Sequence, residues 1–383
     1  MFEVAVVEDI VLNDKSYYFG NAGGWNGIGT VSFKKLKGGN YQSKGFAKPY
    51  FSNFINYPLK NELIYIFALP SPDIQNNNYQ EVYYYITPLN IWNSNHHNGI
   101  PNIFENKDLP DSQKRDYIQT SLGSVRRVED GSSGIDLGNT FEEKSNIKPL
   151  IKYEGDIMIE GRFGNSVRFG SSVLDGNNEP LNSWSKGGQK GDPITILRNG
   201  QSPSAGSVGF LPTEELLNGD LSSIYLTSTQ KLPNLILPKT DYLSFKKNPP
   251  KQPIEYNQNQ IIIKSGRLVF SSDTDHILLS SKKSISLSTI ESINLEAETE
   301  IVLQTVKTYL GSKNASEPLL KGNTTEALLK ELISIVRQLV IASQTAANAG
   351  GPIASLNSIA PNLLTRIQKL NTSKIKSKYN FTV

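Results

Sequence analysis

Side chains able to do chemistry are few in this 383-residue chain, and their spacing does not suit it. There are three histidines, His96, His97 and His276, and no cysteine. No HExxH or CxxC pattern occurs, and the first two histidines have no third within reach in sequence, so a zinc-type site is not indicated. His96-His97 sits in an Asn-rich stretch and reads as a solvated loop. His276 ends an eight-residue repeat unit. Three copies would meet only if it faced the axis of a three-chain assembly; an outward turn position is the plainer reading. Gly161-Arg162-Phe163-Gly164-Asn165 has the glycines of a phosphate cradle. It lacks the Lys-Ser/Thr and the helix that a P-loop needs, and a strand follows, so a β-turn is expected. Glu142-Glu143 and Glu214-Glu215 are neighbours in sequence, in or beside loops. Adjacent side chains point apart, so neither pair makes a glycosidase-type acid couple. No GxSxG elbow exists, and Ser207-Val208-Gly209 lacks a strand-to-helix context. No catalytic, cofactor-binding or metal residue is assigned, and no enzyme is expected.

The elements that dominate the chain are mechanical rather than chemical. Ile261–Gly311 divides into octads without a gap. They start at Ile261, Val269, Ile277, Ile285, Ile293, Ile301 and Tyr309. Two places on stand Ile263, Ser271, Leu279, Leu287, Leu295, Leu303 and Gly311. Residues i and i+2 of a strand share a face, so each octad offers a short apolar pair and then about five mostly polar residues. Eight extended residues span only roughly 26–29 Å, enough for one side of a coil but not a full turn round a filled core. Three chains, each giving one side per layer, could bury the Ile/Leu pairs in an intertwined β-helical needle. The plainer alternative is an antiparallel meander of short strands. The strict period, with Ile first and Leu third in four consecutive octads, favours the needle. Apolar residues at the second place (Ile262, Phe270, Leu278, Val302, Leu310) are not accounted for by a simple inside-outside alternation.

Taken in order, residues 1–92 read as several short strands with Gly and Pro punctuation, the size of a five-stranded OB-type barrel. Phe2–Ile10, Ile28–Leu36, Leu63–Leu69 and Glu81–Ile86 carry the clearest strand signals. Residues 93–147 are rich in Asn and charge, with little periodicity, and read as an extended insertion or arm. Residues 148–240 return to β-hairpins: Asp156–Glu160 with Ser166–Phe169, Asp192–Arg198 closed by an Asn199-Gly200 turn, and Ser222–Thr229. Residues 241–260 hold Pro249, Pro250 and Pro253 and read as a linker into the octads at 261–312. At 323–383 the period changes to helical. Asn323 suits an N-cap with Glu326 three places on. Leu328, Leu332, Ile335 and Leu339 then form one stripe and Leu329, Ile333, Val336 and Val340 a second beside it. So wide a face must be buried on other helices. A shorter helix is expected around Pro361–Leu370, with Pro361 in its first turn. The tail Lys374–Val383 suits a strand. No acid follows Glu331, so this end is basic; a cap kept soluble by its lysines is a plainer reading than a lipid or nucleic-acid site.

Composition agrees with a mainly β fold of two or three domains: Gly 30, Pro 20, Tyr 17 and Phe 15. A net charge of +3 does not call for a polyanionic partner. No run approaches the ~18 apolar residues of a membrane span, and MFEVAVVEDI lacks the basic region of a signal peptide.

The order of parts resembles the central spike, or baseplate hub, of contractile phage tails, with its OB barrel and trimeric β-helix. It is similar also to the valine–glycine-repeat spikes of type VI secretion. Three segments carry the likeness: Glu160–Ser171, Gly191–Gln201 and Ser222–Gln230. The resemblance implies a homotrimer in the virion tail baseplate, made in the host cytoplasm. It would plug the tail tube and transmit contraction force to puncture the host envelope. Implied partners are tail tube and hub proteins at the barrel end, wedge proteins at 93–147, and a distal tip or PAAR-like protein at the C-terminal end. Contact with the host membrane would be transient, and no nucleic acid or cofactor is involved. Alternatives are a spike of a bacterial injection or type VI secretion system, or a receptor- or polysaccharide-binding tail fibre. Two departures stand out. The T4-type hub carries a lysozyme domain between barrel and needle, and no such helical segment is readable here. The family's octads often carry Val and Gly inward, where Ile and Leu dominate in this chain.

Overall fold

In a computed structural model the protein is described at residues 1–37, 40–54, 56–60, 62–71, 80–86, 99–101, 141–144, 146–201, 212–232, 235–237, 241–242, 244–245, 248–311, 317–320, 322–346, 354–369 and 376–382. His96, His97, Ser207-Val208-Gly209 and most of the 93–147 arm lie outside the described residues.

The first five strands close on themselves. β1 (Glu3–Ile10) pairs antiparallel with β2 (Val31–Lys37) and with β4 (Leu63–Pro70). β2 pairs with β3 (Asn40–Pro49), β3 runs parallel to β5 (Glu81–Ile86), and β5 returns to β4. The result is a closed barrel in the order β1-β2-β3-β5-β4. Alternation sends Ala5, Val7, Val31, Phe33, Ala47, Ile64, Ile66 and Tyr85 inward, where they form one buried cluster. Register slips in β1 between Val7 and Asp9 and in β2 between Lys34 and Leu36 bend the strands as closure requires. β3 carries little strand signal because Gly45 interrupts it, and that glycine is a steric need. A Cβ there would stand 2.8 Å from Cζ of Phe33 in the barrel core.

Two short strands in the arm, β6 (Gly99–Pro101) and β7 (Phe141–Glu143), pair antiparallel, so Glu142 and Glu143 lie on a strand rather than in a loop. A second sheet follows, antiparallel throughout. It comprises β8 (Ile157–Glu160), β9 (Ser166–Ser171), β10 (Pro193–Gln201), β11 (Asp220–Thr227) and β12 (Gln260–Ser265), in the order β12-β11-β10-β9-β8. The expected hairpin at Gly161–Asn165 is present, with Gly161 N–H donating to Asn165 O at 2.8 Å. The expected turn at Asn199-Gly200 is not. β10 runs on to Gln201, which still faces Asp220 of β11. Gly200 is needed there for another reason: its φ is 76°, and a Cβ would meet Cδ1 of Leu221 at 2.7 Å.

β12 overlaps the octads read from sequence. The start of the first octad, Ile261-Ile262-Ile263, lies in the edge strand of this sheet. Its second residue, Ile262, is buried with Trp184, Ile194, Ile196, Leu217, Tyr225 and Leu232. The apolar second place is thereby explained for this octad.

By contact the chain divides into two units, Met1–Ile236 with Gln252–Leu278, and Leu237–Lys251 with Leu279–Val383. The 241–260 linker is split between them. In the second unit β13 (Thr308–Tyr309), β14 (Glu317–Leu320) and β15 (Lys376–Thr382) form a small sheet with β15 in the middle, so the basic tail does end as a strand. Two helices pack on each other, α1 (Gly322–Ala346) and α2 (Ala354–Lys369). Asn323 lies inside the first turn of α1 instead of capping it. Pro361 lies inside α2, which starts a full two turns earlier than expected. No helix among the described residues is long and apolar enough to cross a membrane.

Candidate interaction surface

The two faces of the β8–β12 sheet differ in kind. On the inner face, position after position is buried: Arg168 of β9, Ile194, Ile196 and Arg198 of β10, Tyr225 of β11 and Ile262 of β12. The opposite parity makes rows of cross-strand neighbours on the outer face. One row is Ile159, Val167, Leu197, Ile224 and Ile263, one residue from each strand. The next is Ile157, Phe169, Thr195, Leu226 and Ile261. Such rows are the packing unit of a sheet, and a solvated face would carry polar residues here. Instead Ile157 is 65% exposed, Phe169 51%, Ile261 66% and Ile263 46%. A groove of about 600 Å³ opens over the first row, walled on one side by Arg267, Leu268 and Val269.

Ile261 and Ile263 are the first and third residues of the first octad. The apolar pair of the repeat thus begins on this outer face, and the period carries it on in sequence. From 266 to 307 no strand or helix forms within the chain, and every residue except Thr289 is exposed. The four Ile/Leu pairs at 277/279, 285/287, 293/295 and 301/303 are all 51–71% exposed. The meander alternative is therefore not realised in this chain. Leaving those eight side chains in water forgoes on the order of 10 kcal/mol per chain, comparable to the whole stability of a domain.

The inner face is held by charge. Arg168 has no exposed side-chain surface. It donates to Glu215 from Nε at 2.6 Å and from Nη2 at 3.1 Å, to Ile151 O at 2.7 Å, and to Asp156 from Nη1. Its guanidinium lies 5.0 Å from the Trp184 ring centroid. A second forked pair ties the hairpin to the barrel: Arg162 Nη1 and Nη2 donate to Glu62 Oε1 at 2.8 Å and Oε2 at 3.1 Å. Glu62 also accepts from Leu59 N at 2.6 Å. Asp220 is buried with Arg198 Nη1 at 3.6 Å. Burial pushes its carboxyl up to about 7, outweighing the pull of Arg198.

The residues weighed as chemistry are dispersed. Glu214 and Glu215 do point apart: Glu214 accepts from Ser183 N at 3.1 Å, while Glu215 faces Arg168. His276 is solvent-exposed beside Asp275, with Nε2 3.8 Å from Oδ1. Among the described residues no group of three or more His, Cys, Asp or Glu is placed to hold a metal. The Arg168 cluster was not foreseen. Its one sequence signal is an arginine in an alternating strand, Val167-Arg168-Phe169, at the parity that faces Ile196. The segments that carried the family likeness supply β9, β10 and β11. Gln230, at the end of the third, is fully buried, with Nε2 donating to Ser172 Oγ at 3.0 Å and to Asp192 O at 2.9 Å.

No family model, no curated protein and no solved structure matches this chain.

Proposed function

We propose that this protein is the homotrimeric central spike, or hub, of a contractile tail baseplate. One observation carries the reading: an apolar sheet face, exposed in one chain, leads directly into octads whose apolar pairs are exposed as well. Three copies related by a threefold axis bury both at once. The sheet faces meet on the axis, and the octads wind into a β-helix whose Ile/Leu pairs stack inside. Backbone hydrogen bonds then run between chains in every layer, so no subunit peels away without breaking many together. That suits a rod that must transmit compressive force without buckling.

The barrel supports the same reading. Its closed five-stranded order β1-β2-β3-β5-β4, with only β3 and β5 parallel, supports reading it as an OB-type barrel, the module expected where a hub meets the tail tube. The Arg162–Glu62 fork ties the barrel to the hairpin domain, as a joint under compression needs. The work is mechanical, and the reading assigns no catalytic residue. Cell-wall cleavage would belong to another protein. The spike of a bacterial injection system would share this architecture.

Light scattering coupled to size exclusion tests the assembly. The expected mass is three times the 42.4 kDa of the chain, and a stable monomer at micromolar concentration overturns the proposal. Electron microscopy of the particle tests the location: a threefold density is expected on the tail axis, and its absence there removes the hub assignment even from a trimer.

A further inference from the structure

Helix α1 has two apolar faces and α2 covers only one. Ile335 and Ala342 of α1 and Leu363 of α2 are buried. Arg366 of α2 spans the same side, donating from Nε to Glu331 at 2.7 Å and from Nη1 to Gln338 at 3.1 Å. Leu329, Leu332, Ile333, Val336 and Leu339 lie elsewhere on the helix and are 38–62% exposed. Their spacing of three, one, three and three is that of a heptad: Leu329 and Val336 at a, Leu332 and Leu339 at d, Ile333 at e. The charged residues Glu326, Lys330 and Arg337 fall outside the a and d positions, so the seam itself is neutral from Leu329 to Leu339.

We infer that this seam packs against the same seam of two further copies of the chain. The three α1 helices run parallel around one axis, with each α2 on the outside. The inference rests on the trimer proposed above, and the seam's own size says why. It covers about two heptads, short of the three to four that sustain a free coiled coil. It is therefore too small to recruit a separate helical partner from solution. It is sufficient between chains already joined, where effective concentration replaces intrinsic affinity. The occupant is a copy of the chain because the threefold assembly already brings two further α1 seams to the same axis, and a seam without charge sets no like-charge repulsion between identical copies. The extra apolar residue at e widens the face beyond a two-stranded seam, as a three-helix core requires.

The chain has no cysteine, so single thiols can be placed cleanly. Leu329→Cys, Val336→Cys and the off-seam control Lys330→Cys are made in the full chain, with Leu287→Cys in the octads as a separate arm. Each is oxidised with copper-phenanthroline and air and run on denaturing gels without reductant. Leu329→Cys and Val336→Cys are each expected to form covalent dimers, saturating at no more than two of every three chains. One thiol per chain leaves the third member of each trimer single. Lys330→Cys stays monomeric. Cross-linking of Leu287→Cys without either seam position overturns the inference and leaves the trimer standing. Cross-linking of Val336→Cys without Leu329→Cys overturns the parallel arrangement. Complete conversion to dimers overturns threefold packing. No cross-link in any variant, with a monomeric mass, removes the trimer and this inference together. Circular dichroism under reducing conditions confirms that each variant is folded.

Discussion

The barrel and the octads use the same local device, apolar residues two apart, and reach opposite outcomes. In the barrel, Ala5 with Val7, Val31 with Phe33 and Ile64 with Ile66 find one another across strands that the chain itself supplies, and all are buried. In the octads, Ile277 with Leu279 and the pairs that follow find no cover among the described residues of their own chain and stay exposed. Closure makes the difference. Five strands of six to ten residues joined by returning loops can curve into a barrel, whereas eight residues per turn cannot enclose a core. A strand pattern that one chain can close makes a domain, and one that it cannot close asks for more chains.

The sharpest way to break that contrast is to make the octads polar. Leu287→Asp with Leu295→Asp places two carboxylates per chain where the proposed core lies. The mass is expected to fall threefold while the far-ultraviolet spectrum of the barrel and sheet persists. Ser286→Asp, at the neighbouring outward place, is expected to leave the mass unchanged. If both variants stay trimeric, the octads are not the joining element.

Within the first unit the largest effect is expected at Arg168. Replacing it with Met strands Asp156 and Glu215 as buried carboxylates, a cost of about 3–5 kcal/mol. Denaturant unfolding of the variant checks this. Adding Glu215→Leu and Asp156→Asn to it is expected to restore most of the loss, because breaking such a cluster costs more than omitting it. Arg162→Ala comes next, at roughly 2–3 kcal/mol, since Glu62 loses the forked pair from Arg162. Limited proteolysis would report it as cutting near Gly161 or the barrel rim.

Asp220 gives the most distinctive effect, a slope of stability with pH. Its folded carboxyl titrates near 7, above the ordinary aspartate value of 3.8, so the folded state holds a proton that the unfolded state has released. The contribution to stability is full below pH 3.8 and is lost as pH rises to about 7. Asp220→Asn is expected to remove that slope. Unfolding midpoints of the two proteins would then converge at the acid end of the window and separate at pH 7. Parallel curves would mean that Asp220 is ionised throughout.

Much of this fold was legible because its signals are local. The strands near Phe2–Ile10, Leu63–Leu69 and Glu81–Ile86, the turn at Gly161–Asn165, the octads and the long C-terminal helix all announce themselves by period or by turn chemistry. Other features were hidden because their cause is remote. β3 is weak in sequence, and Gly45 makes sense only against Phe33. Asn199-Gly200 has the chemistry of a turn, but pairing with Asp220 carries the strand through it. Arg168 reads as a surface residue until Glu215, 47 positions on, is brought to it.

By itself the sequence determined the periods: two in the strands, eight in the repeat, and the helical spacing at 328–340. Only the tertiary structure decided which side of each period is already covered. It divided the helix stripes, sending Ile335 to α2 and leaving Leu332 and Leu339 exposed beside Leu329 and Val336. It put Ile262 into a core while Ile261 and Ile263 begin an exposed apolar face. The reason is physical. Periodicity follows from backbone geometry within a few residues, but burial depends on surfaces supplied from far along the chain or from another copy of it.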